Sequence, residues 1–240
     1  MKEKNELDIL IPVFNESESI VKTLKNILSV VKYNYRILIC YDYDEDPTLK
    51  IIKNNFSQNF QIVFVKNFSR GFNNALISGF KDSTAEAVLV FMADDHTNHD
   101  IINSCYAKFK KGYDVVCPSR FVKGGKMTGN PFVKGFITRL VSFFLYNLTS
   151  FPIKDSTNSF RLFSKELISK VNIESNKGFT LSLELTAKAH RLGYKITEIP
   201  TIWMERSKGK SRFKLFSFIL PYTRWFLYII KTSIFYKNAK

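Results

Sequence analysis

The sequence predicts an α/β fold, a mostly parallel sheet flanked by helices, on three observations. Short β-rich apolar runs alternate with helical patterns through the first ninety residues. Each unit is long enough for a strand to cross back over a helix into the same sheet. Carboxylates also collect just after three of the strands, the place where ligands bind in such sheets.

The apolar run Leu7 to Val13 is the first strand, broken by Pro12 and a turn, and Ile20, Leu24, Ile27 and Leu28 continue as a helix that Ser17 or Glu16 could cap. Tyr35 to Tyr41 is the second strand; the acidic segment Asp42 to Asp46 follows it, and Thr48 to Asn55 is helical. Gln61 to Val65 is a third strand with a helix around Asn74 to Lys81. Ala87 to Met92 is a fourth, ending at Asp94 and Asp95. After Gly112 the pattern changes to a short strand, Asp114 to Cys117, and a Lys- and Gly-rich loop, Ser119 to Gly129.

Pro131 to Thr149 is a long apolar helix, its proline suited to a helix start. At 100° per residue, Gly135, Thr138, Arg139, Ser142, Tyr146 and Thr149 share one side, and Phe136, Ile137, Leu140, Val141, Phe143, Phe144 and Leu148 the other. A second such segment, Phe213 to Tyr236, carries Ser217, Arg224 and Lys231 as a narrow polar stripe, with Pro221 expected to kink it. The uncharged stretch Leu140 to Ile153 is shorter than the roughly 20 residues of a spanning helix, and Arg224 makes a span expensive in the second segment. Two readings stand for these helices: interfacial helices lying in a membrane plane, or ordinary core helices.

A chain of 240 residues can bury one good core, and its 45% hydrophobic and 24% charged residues are those of a globular protein. The 36 Lys and Arg against 21 Asp and Glu give a net charge of +15, a field that attracts polyanions. The 23 Phe, clustered beside basic residues in the second half, suit an interfacial surface, and no zinc-finger spacing or basic-zipper heptad points to nucleic acid. Cys40, Cys105 and Cys117 form no disulfide or metal-knuckle pattern, and Met1 to Asp8 lacks the apolar core of a signal peptide. A cytoplasmic setting is expected.

Asp94 and Asp95 meet the needs of Mg2+ or Mn2+, which prefers hard oxygen ligands, keeps several waters and neutralises a diphosphate leaving group. Adjacent residues leaving a strand point opposite ways, so one of the two is expected to be the direct ligand.

These residues carry a resemblance. The segment Pro12, Val13, Phe14, Asn15, Glu16 resembles the opening motif of family 2 glycosyltransferases, where it lies against the nucleotide. Asp42, Asp46 and Thr48 match the family's acidic loop after the second strand, in which an Asp contacts the base or ribose. Arg70, Gly71, Ala75 and Gly79 resemble its next loop and helix, and Ala93, Asp94, Asp95 stand for its Asp, any residue, Asp motif. Downstream, Ser119, Arg120, Lys123, Gly124 and Gly125 are similar to a loop of dolichyl-phosphate mannose synthases and bacterial polyprenyl-phosphate glycosyltransferases. Arg139 sits where those proteins have an Arg in a membrane-surface helix. Asp155, Ser159, Phe160 and Arg161 match their segment before the sixth strand, Glu184 their helical Glu, and Arg206, Gly209, Ser211 and Arg212 their flexible basic loop. Two departures stand out: Ala93 replaces the first Asp of the metal motif, and Asn73 stands where a Gly is usual.

The resemblance covers roughly residues 7 to 213 and implies a GT-A fold and an inverting transfer from a nucleotide-diphosphate sugar to a polyprenyl phosphate or another membrane lipid acceptor. It implies Mg2+ or Mn2+ on Asp95 and Asp94. Pro12, Phe14, Glu16 and Asp42 would hold the nucleotide, and Arg120, Arg139, Arg206 and Arg212 the phosphates. The forked donors of arginine suit phosphate on physical grounds as well. A lipid phosphate is already ionised and needs no general base, whereas a sugar hydroxyl needs one, with Asp155 or Glu184 as candidates; His96, His99 and His190 stand in no motif. The expected organisation is a transferase domain over residues 1–212, including the interfacial helix 131–149, and a membrane-associated C-terminal helix over 213–240. Its expected place is peripheral, at the cytoplasmic face of a membrane, with a membrane partner subunit as a further candidate contact for the last helix. Transfer to a sugar hydroxyl in surface-polysaccharide or glycolipid assembly, and a scaffold that retained the fold without catalysis, remain alternatives.

Overall fold

The computed structural model describes residues 5–129, 132–204 and 215–235. In chain order the elements are β1 (Leu7–Val13), α1 (Ile20–Val30), β2 (Tyr35–Tyr41), α2 (Pro47–Phe56), β3 (Ile62–Lys66), α3 (Phe72–Asp82), β4 (Ala87–Val90), α4 (His99–Lys110), β5 (Val115–Ser119), β6 (Lys126–Thr128), α5 (Phe132–Leu148), β7 (Arg161–Ser164), α6 (Lys165–Lys170), α7 (Leu181–Arg191), β8 (Ile196–Pro200), β9 (Ile202–Met204) and α8 (Leu215–Phe235).

Seven strands form one sheet in the order β3-β2-β1-β4-β7-β5-β8, and β6 pairs with β9 in a small second sheet. The pairs β1 with β2, β2 with β3, β1 with β4 and β5 with β8 are parallel; β7 runs antiparallel to both β4 and β5. One core packs Ile20, Leu24 and Ile27 of α1, Leu49 and Ile52 of α2, and Ile102, Cys105 and Tyr106 of α4 against the sheet. The other unites Leu76 and Phe80 of α3 with Leu145 of α5, Leu183 and Leu185 of α7, and Tyr222, Trp225 and Ile229 of α8. The strands, covered on both faces, read as apolar runs rather than alternations. Gly79 lets α3 approach β1, since a Cβ there would lie 2.1 Å from Leu10 Cδ1.

Two local expectations are corrected. The residue at the start of α1 is Ser19, not Ser17 or Glu16, and its side chain makes no capping bond to the helix; the Glu16 carbonyl instead accepts the amides of Ser19 and Ile20. The fourth strand ends at Val90, so Asp94 and Asp95 stand in a turn beyond the ladder rather than at its last rung. The elements α4, β6, α6, β8 and β9 have no counterpart in the reading from sequence.

The helix α5 is seated by its small and polar side. Ser142 is fully buried, sharing a 2.8 Å hydrogen bond with the Ser156 hydroxyl, and Leu145 is buried beside it. Phe136, Ile137, Leu140, Phe143, Phe144 and Leu148 are exposed. The helix α8 runs on through Pro221 and turns Tyr222, Trp225 and Ile229 inward, while Arg224 pairs with Glu174 outside. Among the described residues, no helix is long and apolar enough to cross a membrane.

Candidate functional site

The loops at the carboxyl ends of β1, β2 and β3 are tied together by carboxylates of the second loop. Asp46, at the N-cap of α2, accepts the amide of Thr48 at 2.9 Å and that of Asn15 at 3.0 Å, while the Thr48 hydroxyl accepts the Glu16 amide at 2.8 Å. The first motif is thereby pinned to the second loop, with Asn15 at a left-handed φ of 55°. Asp42 spans to the third loop, accepting from Asn67 Nδ2 at 2.7 Å and from the Gly71 amide at 2.8 Å. Gly71 has a φ of 92°, natural only to glycine, and as the N-cap of α3 it offers no side-chain acceptor to that helix. Phe14 is exposed at the mouth and meets Tyr43 edge to face at 5.6 Å. Pro12 lies in β1, with Cys40 of β2 as its partner. Phe14 thus presents an aromatic edge beside loops at the carboxyl ends of the strands, where ligands of such sheets bind.

Beyond β4, Asp95 folds back on its own loop. Its Oδ1 accepts the Thr97 amide, the Thr97 hydroxyl and the Asn98 amide at 3.0, 3.2 and 3.0 Å; its Oδ2 accepts Asn98 Nδ2 at 2.7 Å. Asp94 and Asp95 are both half-buried, and the Ala93 side chain is packed inside the core. Among the described residues, no group of three or more His, Cys, Asp or Glu converges on one point. A pair of adjacent carboxylates still fits Mg2+ or Mn2+, which binds through one or two carboxylates and completes its shell with water and substrate phosphates. His99 is buried and turned toward Phe91, and burial holds its imidazole below the usual range.

The loop after β5 is built on an ion pair. Arg120 donates from Nε to Asp155 Oδ2 and from Nη2 to Asp155 Oδ1, both at 2.7 Å, and its backbone amide adds a third bond to the same carboxylate at 2.9 Å. Asp155 is completely buried. Burial alone would raise its pKa, but the guanidinium and the three hydrogen bonds outweigh it and hold the carboxyl below the ordinary value. The pair is a wall rather than a free acid or base. Glu184 is likewise buried and bound, by the amides of Glu174 and Ser175 and by Lys188 Nζ, each at 2.7 Å.

Against this wall lies a groove of about 470 Å³ lined by Arg120, Arg139 and Lys154 together with Phe121, Phe143 and Tyr146. Arg139, exposed on α5, stacks its guanidinium 5.3 Å from the Phe121 ring, and Lys154 sits 5.2 Å from that of Tyr146. The structure thus gathers Pro12, Phe14, Glu16 and Asp42 on the first loops, Asp94 and Asp95 beyond β4, and Arg120, Arg139 and Asp155 at the groove. Arg206, Gly209, Ser211 and Arg212 lie outside the described residues. Sequence reasoning missed Asn67, Asn98, Tyr43 and Lys154; Asn98, next to a helix start, carried only the ordinary signal of a cap.

The architecture is that of the GT-A class of α/β proteins. Crystal structures of glucosyl-3-phosphoglycerate synthase from Mycobacterium tuberculosis superpose with TM-scores of 0.68, covering 95% of this chain and 80% of that one at 14% identity in the complex with Mn2+, UDP and glucosyl-3-phosphoglycerate. The model of glycosyl transferase family 2 matches residues 8–171, and the chain belongs to that family. A dolichol-phosphate mannosyltransferase of Pyrococcus furiosus is 26% identical over 213 residues, 87% of this chain and 59% of that one. An uncharacterized glycosyltransferase of Synechocystis is 29% identical, over 69% of this chain and 52% of that one, and an uncharacterized protein of Methanocaldococcus jannaschii is 28% identical over 86% of each. The chain therefore spans little more than half the length of two of these relatives.

Proposed function

We propose that this chain is an inverting glycosyltransferase that moves a sugar from a nucleotide-diphosphate donor to a polyprenyl-type phosphate, working peripherally at the cytoplasmic face of a membrane. The observation that carries the reading is the groove beside α5, where Arg139 and Lys154 stand among aromatic rings on a helix whose aromatic face is exposed. Cations within an apolar frame suit an amphiphile with a phosphate head, and the exposed Phe side chains suit its hydrocarbon surroundings. The P. furiosus relative, a dolichol-phosphate mannosyltransferase, agrees with such an acceptor.

In this reading Phe14 and Asp42 border the nucleotide, and Asp94 and Asp95 hold Mg2+ or Mn2+. Held there, the cation would supply the positive charge that offsets what develops on the diphosphate as the glycosidic bond breaks. Arg139 and Lys154 draw the acceptor phosphate into the groove, while Arg120 is fixed by Asp155 and Thr157, with its Nη1 on the weak acceptor Met127 Sδ at 3.6 Å. The acceptor oxygen is ionised already, so positioning and charge carry the reaction and no side chain removes a proton. Asp155 acts here as a positioning residue for Arg120.

The test is sugar transfer from a panel of nucleotide sugars to a polyprenyl phosphate in detergent, with Mg2+, Mn2+ or chelator, for the intact chain, Asp95→Ala and Arg139→Ala. Metal-dependent product, lost in Asp95→Ala and reduced at least tenfold in Arg139→Ala, is expected. Product formed only on a sugar hydroxyl would replace the acceptor, and failure to bind any nucleotide sugar would sink the enzymatic reading.

A further inference from the structure

Asn98 stands at the N-cap of α4, where an Asn side chain ordinarily accepts an amide from the first helical turn; here it makes no such bond. The amide group is committed elsewhere. Its Nδ2 donates to Asp95 Oδ2 at 2.7 Å and to the Ile202 carbonyl at 2.8 Å, and its Oδ1 accepts the Thr201 hydroxyl at 2.8 Å and the Ile202 amide at 3.2 Å. Asn98 is 4% exposed.

Thr201 in turn donates its amide to the Ser119 carbonyl, at the end of β5, and accepts the Lys126 amide with its own carbonyl. Ser119 precedes Arg120, the guanidinium of the groove wall. One side chain therefore joins the Asp95 carboxylate to the strand end that carries the acceptor-side arginine. The two oxygens of Asp95 are also made unequal. Oδ1 already accepts three donors, whereas among the described residues Oδ2 accepts only Asn98 and keeps a lone-pair direction for a cation.

We infer that Asn98 is a positioning residue for the cation site: it decides which Asp95 oxygen faces the metal and holds that oxygen in register with Arg120. The inference rests on the cation reading of Asp95. Groups that orient a ligating carboxylate are worth about 10- to 100-fold in metal affinity when removed.

The experiment is Mn2+ binding to the full chain, followed by the electron paramagnetic resonance of free Mn2+ in the presence of the nucleoside diphosphate that binds best among UDP, GDP, CDP and ADP. It is run well below the melting temperature of every variant. Asn98→Ala should weaken Mn2+ about tenfold or more. Asn103→Ala, which removes contacts of α4 to the Lys32 amide and the Val30 carbonyl on the far side of the helix, should lower the melting temperature and leave Mn2+ binding unchanged. Thr201→Val, close to isosteric, removes one of the five side-chain hydrogen bonds of Asn98 and should weaken Mn2+ a few-fold; it serves if Asn98→Ala does not fold. Asp95→Ala separates the two readings. Mn2+ binding lost there but within twofold of the intact chain in Asn98→Ala, or in Thr201→Val where that is the variant measured, would overturn the inference alone. Mn2+ binding undiminished in Asp95→Ala would overturn the cation reading of Asp95 and the inference with it.

Discussion

The helices α1 and α5 are both amphipathic, and they are mounted the opposite way round. α1 buries Ile20, Thr23, Leu24 and Ile27 and turns Lys22, Lys25 and Ser29 to water. α5 buries Ser142 and Leu145 and presents Phe136, Phe143, Phe144 and Leu148 outward. Periodicity reveals that a helix has two faces; the seat decides which of them turns inward. Beneath α1 lies a floor of Leu, Ile and Val, and beneath α5 lie Ser156 and the neighbouring Asp155 with its Arg120 partner. A contiguous exposed apolar face of this kind suits the low-polarity acceptor proposed above.

Three substitutions break the comparison at successively smaller cost to stability. Asp155→Ala leaves the Arg120 charge buried without its partner and should cost about 3–5 kcal/mol in urea unfolding. The folded-state pKa of Asp155 lies below the ordinary carboxylate value. Its contribution is therefore complete above the unfolded value of about 3.9 and is lost as pH falls through the folded one. The intact chain should accordingly lose stability on acidification below about pH 4, and Asp155→Ala should show a shallower acid slope. Leu24→Ala, in the buried face of α1, should cost about 2–5 kcal/mol through the cavity it opens. The double substitution Phe143→Ser, Phe144→Ser should change stability by no more than about 0.5 kcal/mol, because both rings already face outward. Co-sedimentation with anionic vesicles should nevertheless fall markedly in that variant, and unchanged sedimentation would remove the lipid surface from the account.

Much of the architecture was legible because β1 and β2 are nearly unbroken apolar runs and the helices between the early strands carry Ile and Leu at helical spacing. The helix α4 was not, since two of the residues that bury its inner side, together with Ile102 and Tyr106, are His99 and Cys105, weak bearers of a periodic signal. The strand β7 has only four residues and places Arg161 in the middle of the sheet; only the likeness to a family pointed to it. At the site, the acidic loops were found but not their direction. Asp46 and Thr48 turn to the backbone of Asn15 and Glu16, and Asp95 turns to Asn98. Side-chain direction in a turn depends on contacts that arrive from distant strands, such as Ile202 upon Asn98, and no local pattern encodes them.

The antiparallel strand β7 has a consequence for the order in which the chain can be made. It lies between β4 and β5 and bonds to both, so during synthesis the sheet of β1 to β4 waits with an open edge until residue 164 has emerged. Its Arg161 is then fastened by the Ser182 carbonyl and the Thr186 hydroxyl of α7 and by the carbonyls of Asp155 and Ser156. The last strand to enter the middle of the sheet also brings the bolt that joins it to the C-terminal helices, so the two halves of the sheet become one body late and together.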